Sequence, residues 1–383
     1  MKVIYKEDWD EARRRMEAWW KGEIIDRVPI KVTAPKKGQE KTWAMACAFP
    51  MGSPDNSLPK ISVPEVTPDN LEDYFTDPKQ VIPRLEKAIE ATYWGGEAFP
   101  VMFPVSVGMV AILANYLGSP LKFLNTYTTW SAPIIDNWDK NWEFSFNPEN
   151  KWWRKTKVLL QDASSRAPGR YFVGIPDLNG PSEILSRLRE PGNLCLDVIE
   201  NRDKVKKAID DITCVWLRYW EASHGIIHQY IGGYINWMSI WSDAPFTDLQ
   251  SDFSCLISPE DFNELILPSI EQQTEWIPRT IYHLDGPDAI RHLDSLLSLP
   301  KLTGIQWIPG AGSPSMSKWI PLLKKIQKAG KLQHIICKKE EVKVILKELG
   351  PKGILIETVC GSREEAEQLI NEVKKLTHVK RWT

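Results

Sequence analysis

The feature that most constrains the fold is a regular alternation of apolar and amphipathic segments that begins near residue 168. Apolar runs of strand length recur near residues 173, 281, 305, 335 and 355, and segments with helical periodicity separate them. Strands that are apolar along their whole length are typical of a parallel sheet covered by helices on both faces. The second half of the chain therefore predicts an α/β protein built from strand–helix units.

The first half of the chain contains earlier and less regular units of the same kind. The periodicity predicts helices over 8–22 and 83–92, and apolar runs predict strands near residues 30 and 101. Residues 35–75 are rich in proline, glycine and polar residues, which indicates a long insertion.

A further strand is predicted near residue 252, just before the helix start Ser258-Pro259-Glu260. The total of eight strands predicts an α/β fold of the (β/α)8 TIM-barrel type. We interpret residues 1–383 as a single TIM-barrel domain. In that interpretation, 1–97 form an N-terminal helical extension and insertion packed on the barrel, and 98–376 form the main barrel.

Composition excludes several classes of protein. The net charge is −2 and the cationic residues are dispersed, so no nucleic-acid partner is expected. Apolar runs fall short of the roughly 20 residues of a membrane helix, so no membrane association is expected. The charged N-terminus lacks an apolar signal segment, and the 6 cysteines form no CxxC pair. These features predict a cytoplasmic protein with reduced cysteines.

In a TIM barrel, the working side chains lie at the carboxyl-terminal ends of the strands and on the loops that follow them. Six residues of suitable chemistry occupy such positions in the sequence: Asp177, Asp252, His283, Asp285, Gln306 and Cys360.

His283 and Asp285 are the most informative of these residues. Their spacing places both side chains on one face of a strand, and a closed barrel would bring Cys360 from the last strand toward them. Imidazole, carboxylate and thiolate are zinc ligands, and three protein ligands leave a fourth position open for substrate. Alternatively, His283 and Asp285 form a metal-free acid–base pair or a structural pair, and Cys360 is a buried apolar residue.

The residues interpreted as substrate-binding are Asn179, Asp252, Gln306 and Trp307. Asp177 and Asn179 follow the strand near residue 173, where Asp177 could act as an acid or cap the next helix. Asp252 would be partly desolvated at its strand end. Gln306 could supply a hydrogen bond and Trp307 a stacking face, or Trp307 could fill the barrel rim.

The segment Tyr282-His283-Leu284-Asp285-Gly286-Pro287, followed by Ile305-Gln306-Trp307-Ile308-Pro309-Gly310, resembles the uroporphyrinogen-decarboxylase-like superfamily. The segment from Asp252 to Phe262 is similar to the part of that superfamily after the fourth strand. The resemblance extends over about residues 165–375 and implies a TIM barrel. The arginine-rich loop of true uroporphyrinogen decarboxylases has no equivalent after Pro29, so the resemblance favours the corrinoid-linked methyltransferase branch.

That branch resembles cobalamin-independent methionine synthase in using zinc, held by a His-x-Cys pair and a distant second cysteine. Here His283 matches the histidine, Asp285 stands in place of the first cysteine, and Cys360 matches the second. The oxygen ligand favours a donor other than a thiol compound.

The resemblance implies a methyltransferase that moves a methyl group from a small methylated compound, such as an O-methyl compound, to a corrinoid protein. Zinc would be its metal, and cobalamin or a related corrinoid would be carried by the partner protein. His283, Asp285 and Asp177 would be catalytic, and a homodimer is suggested by analogy. The alternatives are a metal-independent decarboxylase or lyase acting on a small carboxylate, and a non-catalytic barrel that binds a ligand.

Overall fold

The structure is a computed structural model that describes residues 3–40, 42–43, 71–105, 108–109, 111–126 and 128–377. Most of the predicted insertion at 35–75 therefore lies outside the described residues. No helix in the described ranges is both long and apolar enough to span a bilayer.

Short strands occur along the whole described chain. In chain order they are β1 (Ile30–Pro35), β2 (Thr92–Gly96), β3 (Val101–Met102), β4 (Leu121–Phe123), β5 (Thr129–Ser131), β6 (Phe172–Val173), β7 (Tyr234–Ile235), β8 (Trp241–Ser242), β9 (Phe246–Gln250), β10 (Arg279–Asp285), β11 (Gly304–Ile308), β12 (Leu332–Ile336) and β13 (Ile354–Val359).

Helices separate the strands. The α-helices span Trp9–Trp20, Leu71–Thr76, Pro78–Ala91, Ile112–Tyr116, Lys151–Arg166, Pro181–Arg189, Pro191–Glu200, Arg202–Ile231, Pro259–Asp261, Leu267–Trp276, Leu293–Ser298, Ile320–Lys328, Lys339–Leu349 and Arg363–Thr377. A π-helical turn at Phe262–Ile266 joins two of them, and 3-10 turns occupy Asp252–Leu256, Pro287–His292 and Met316–Trp319.

The main sheet has seven strands in the order β2-β1-β13-β12-β11-β10-β9. All neighbours in it are parallel except β1 and β2. β3 and β6 form a separate parallel pair. The chain is therefore a mixed α/β protein with a largely parallel sheet, as the strand–helix alternation predicts.

All eight predicted strands form, but strand pairing in the described part of the chain does not join them into one closed ring. β3 and β6 are only two residues long, and the free edge of β1 is covered by the antiparallel strand β2. A backbone hydrogen bond from the Ile175 N–H, just after β6, to the Ile235 carbonyl of β7 (3.2 Å) joins β6 to the β7–β8 pair, and one from the Glu97 N–H to the Ile30 carbonyl (2.9 Å) extends the pairing of β2 with β1. The expectation of a regular eight-stranded ring is corrected to this interrupted arrangement.

Local sequence explains most of the element boundaries. Ser258 accepts a hydrogen bond from the Asp261 N–H and caps the helix that Pro259 begins, as the sequence predicts. The helix predicted from residue 83 begins earlier, at Pro78, because Asp77 caps it and Pro83 is accommodated inside. The strand predicted near residue 252 ends at Gln250, and Asp252 opens the 3-10 turn that follows.

Candidate metal centre

β10 presents His283 and Asp285 on the same face at its carboxyl-terminal end, as their spacing predicts. His283 is only 6% exposed and Asp285 is half-buried. The His283 Nδ1 atom lies 2.6 Å from Gln306 Oε1 on the neighbouring strand β11, so Nε2 is the ring nitrogen left for a ligand. Trp237 packs perpendicular to the imidazole, with 5.1 Å between ring centroids.

Asp252 reaches the same place from the turn after β9. Contacts on either side of Asp252 hold this turn: Ser251 Oγ lies 2.7 Å from Ser182 Oγ, and the Phe253 N–H donates to Glu183 Oε2 at 3.0 Å. Both partners belong to the helix Pro181–Arg189. The Asp252 side chain itself is exposed.

One ligand atom each of Asp252, His283 and Asp285 lies within 4.8 Å of the others. One imidazole and two carboxylates form a donor set that suits zinc and other divalent cations, and three protein ligands leave further positions open. The exposure of Asp252 means that a ligand could approach from solvent. The geometry is therefore that of a candidate metal centre.

Two further carboxyl groups lie beside this centre: Asp248, which is buried, and Asp177, which is partly buried. Asp177 Oδ1 accepts from Gln250 Nε2 at 3.0 Å and from the Asn179 N–H at 2.9 Å, and Asp248 Oδ1 accepts from Asn236 Nδ2 at 2.9 Å. Burial raises the pKa of both groups, and the charge of Asp248 raises the pKa of Asp177 further. Burial also raises the pKa of Asp285, which the neighbouring His283 opposes.

Cys360 does not join His283 and Asp285 in the structure, where Asp252 completes the group instead. The reason is the alternation of side chains along a strand: Glu357 faces the polar interior, and Cys360 lies three residues further on, with the opposite parity. Cys360 is 2% exposed, and burial next to Glu365 raises the pKa of its thiol to about 12. The structure therefore groups Asp252, and not the predicted Cys360, with His283 and Asp285.

Three other predicted residues have distinct positions. Gln306 lies against His283 and contacts it directly. Trp307 has the opposite parity on β11 and packs against Trp319, 5.0 Å between ring centroids, so it does not offer a stacking face to the centre. The backbone of Asn179 has a left-handed conformation (φ 55°), and its buried Oδ1 has no hydrogen-bond partner within the described ranges.

Sequence reasoning missed several residues near the centre. Asp248, His334 and Glu357 are ionisable residues inside buried strands, and such residues in predicted strands could have been taken as candidates. A thiol does lie nearby, since Cys255 Sγ is 3.7 Å from the Asp285 carbonyl oxygen. Its proximity depends on the turn after β9, which spacing alone does not reveal.

The sequence matches no protein-family model and no curated protein. Among solved structures, the chain is similar to a methyltransferase from Methanosarcina mazei, with a TM-score of 0.60 and 13% sequence identity. The match covers 95% of this chain and 98% of the other. At this identity the similarity shows a shared fold along nearly the whole chain.

Proposed function

We propose that the protein is a zinc-dependent methyltransferase that moves a methyl group from a small methylated donor to the corrinoid of a partner protein. The observation that carries the proposal is the convergence of Asp252, His283 and Asp285 on a fold shared with a methyltransferase. The strand–helix organisation is consistent with an interrupted TIM barrel, in which this is the usual end for an active site. We infer a cytoplasmic location for such an enzyme.

The donor set fits zinc, because nitrogen and oxygen ligands are among those that zinc accepts and the imidazole has a nitrogen available. When bound, zinc would supply Lewis acidity at the heteroatom that carries the methyl group. Asp252 and Asp285 would hold the metal from two sides of the centre, and the exposure of Asp252 would leave room for the partner protein to dock.

The carboxyl groups around the centre restrict the donor. The charged groups that shift the pKa of Asp177 are other aspartates, and those that shift the pKa of Asp285 are His283 and Asp252. The carboxylates of Asp252 and Asp285 would offset the two positive charges of a bound zinc ion, so the centre would not attract an anionic donor strongly, and a neutral O-methyl compound is favoured. Asp177, with its raised pKa, is suited to give a proton to the departing heteroatom.

The runner-up function, a metal-independent lyase on a small carboxylate, would use His283 and Asp177 to move protons. The buried acids with raised pKa favour proton transfer in general. Without a metal ion, Asp177, Asp252, His283 and Asp285 would offer a carboxylate substrate no permanent cation, which disfavours this function. A third candidate is a barrel that binds a ligand without catalysis. Measurable turnover would distinguish the methyltransferase and the lyase from it.

Metal analysis of protein purified without chelator tests the proposal. We expect about one zinc per chain in the native protein, and a loss of affinity of at least about 10- to 100-fold in Asp252→Asn and His283→Ala. Cys360→Ser is the matched control and should retain the metal. A native protein without affinity for zinc, or an Asp252→Asn variant with unchanged affinity, would contradict the proposed centre.

Transfer to free cob(I)alamin, followed by its visible spectrum, tests the reaction with methanol, an O-methylated phenol and methylamines as probe donors. Methylation of the cobalamin by the zinc-loaded native protein, and none by His283→Ala, is the expected result. Turnover of a small carboxylate that is unchanged by removal of zinc would favour the lyase.

A further inference from the structure

Five polar side chains from five neighbouring strands form one continuous hydrogen-bonded chain through the interior of the main sheet. It begins on β1 and ends at the candidate metal centre on β10, and we name it the strand-crossing chain: Lys31, Glu357, His334, Gln306 and His283.

Every link in the strand-crossing chain is short. Lys31 Nζ lies 2.5 Å from Glu357 Oε2, and the same oxygen lies 2.8 Å from His334 Nε2. His334 Nδ1 lies 2.8 Å from Gln306 Nε2, and Gln306 Oε1 lies 2.6 Å from His283 Nδ1. Lys31, His334, Gln306 and His283 are at most 6% exposed, whereas the side chain of Glu357 is 23% exposed, so most of the strand-crossing chain is shielded from water.

The chemistry of its members determines which atom donates and which accepts in each hydrogen bond of the strand-crossing chain. Burial acts to raise the pKa of Glu357, but the charge of Lys31 and the hydrogen bond from His334 outweigh it and lower the pKa to about 2. Glu357 is therefore an acceptor only, and His334 must donate to it from Nε2. Burial lowers the pKa of His334, which leaves its ring neutral with Nδ1 as an acceptor.

The amide of Gln306 continues this order of donors and acceptors from His334 to His283. Since His334 Nδ1 accepts, the Gln306 NH2 group faces it as the donor, and the Gln306 oxygen faces His283. His283 must then carry its proton on Nδ1. In a ring that carries a single proton, Nε2 is then left with the free lone pair, which is the form that a histidine needs to bind a metal.

Lys31, at the other end of the strand-crossing chain, also supports the ring of His283. Lys31 Nζ donates to the carbonyl oxygen of Met238 at 2.9 Å. Met238 follows Trp237, whose ring packs edge-on against His283. The hydrogen bonds thus determine which nitrogen carries the proton, while the anchored segment limits rotation of the imidazole.

We propose that Gln306, His334, Glu357 and Lys31 are positioning residues that fix His283 in its Nδ1–H form and so present Nε2 to a metal ion. The inference rests on the proposed metal centre. It makes a separate statement about the protein without metal, because the hydrogen bond between His283 and Gln306 is present without the metal.

Nitrogen-15 NMR of metal-free protein with labelled histidine tests the tautomer directly, with His283→Asn used to assign its signals. At a pH where the ring carries a single proton, we expect cross-peaks that place this proton on Nδ1. A ring protonated at Nε2, or an equal mixture of both forms, would overturn the proposal. This result does not depend on activity, so it separates failure of this inference from failure of the proposed function.

Matched glutamine substitutions test the consequence for metal binding. Gln306→Met removes both hydrogen bonds at nearly constant volume, and we expect zinc affinity, measured by competition with a chromogenic chelator, to fall about 10- to 100-fold. Gln333→Met is the control, because Gln333 is a buried glutamine of the adjacent strand whose amide has no hydrogen-bond partner among the described residues. Equal affinities of the two variants would contradict the proposal.

If Gln306→Met does not fold, as judged by thermal unfolding beside Gln333→Met, the tautomer measurement on the native protein decides. In a folded Gln306→Met variant, the NMR signals of His283 should show a mixture of tautomers. Signals identical to those of the native protein would mean that Gln306 does not position the ring.

Discussion

Asp177 is held in a place where its charged form is unfavourable. Burial and the neighbouring Asp248 raise its pKa above the usual value of 3.8, although Gln250 and the Asn179 N–H oppose the shift by hydrogen bonding. An acid with a raised pKa binds a proton more tightly in the folded state than in the unfolded state. Stability is therefore lost as the pH rises from about 3.8 through the folded-state pKa, and the loss is complete above it.

Asp177→Asn should therefore increase the free energy of unfolding at neutral pH, because the amide removes the cost of a buried charge and keeps an oxygen acceptor. The gain should shrink as the pH falls toward 3.8, where the native carboxyl group is protonated as well. Urea denaturation at several pH values measures both effects. The exposed residue Asp139 provides a control, since Asp139→Asn should show no such gain. Equal stability of Asp177→Asn and native protein at neutral pH would contradict this account.

At the scale of elements, the edge where β1 meets β2 depends on one buried carboxylate. Glu97 is fully buried directly after β2 and accepts from Arg27 Nη1 at 2.7 Å and Nη2 at 2.8 Å. It also accepts from the Ile30 N–H at 2.6 Å, at the start of β1. The ion pair therefore joins the beginning of one strand to the end of its antiparallel neighbour.

Glu97→Gln should lower the free energy of unfolding by roughly 3–5 kcal/mol, because it leaves the buried guanidinium of Arg27 without a charged partner. Urea denaturation followed by circular dichroism measures the change. Glu348→Gln removes a half-exposed ion pair with Lys324 and should leave the denaturation midpoint essentially unchanged. A loss for Glu97→Gln no larger than that of this control would disprove the structural role.

At the scale of the whole molecule, the region around β6 meets the main sheet through a close backbone contact. Gly180 follows β6, and a Cβ atom at this position would lie 1.7 Å from the carbonyl oxygen of Gln250 at the end of β9. β6 and β9 share no strand pairing in the described part of the chain. This contact therefore helps to bring Asp177 to the candidate metal centre.

Gly180→Ala should destabilise the protein by about 1–3 kcal/mol, because the backbone must move to accept the methyl group. Gly225→Ala is the matched control inside the long helix Arg202–Ile231, where a Cβ would meet nothing within 4 Å. Alanine is favoured over glycine in a helix by roughly 0.5–1 kcal/mol, so this variant should be more stable. Thermal unfolding measures both changes, and a loss of stability in both variants would contradict the packing argument.

Much of the fold could be predicted from the sequence, because strand and helix periodicities are local. The four strands β10 to β13 and the helices between them lie where the apolar runs predict them. The first half was less predictable, since β3 and β6 are only two residues long and no strand precedes the helix Lys151–Arg166 over residues 132–150.

The sequence by itself determined the pairing of His283 with Asp285, because alternate residues of a strand share a face whatever surrounds them. Only the tertiary structure decided the third member. Cys360 and Asp252 both follow strands. Because side chains alternate along β13, Cys360 lies on the face opposite to the centre, whereas the turn held by Glu183 places Asp252 beside His283 and Asp285. The parity of a residue beyond a strand end and the path of a turn depend on contacts between distant parts of the chain, which local patterns do not encode.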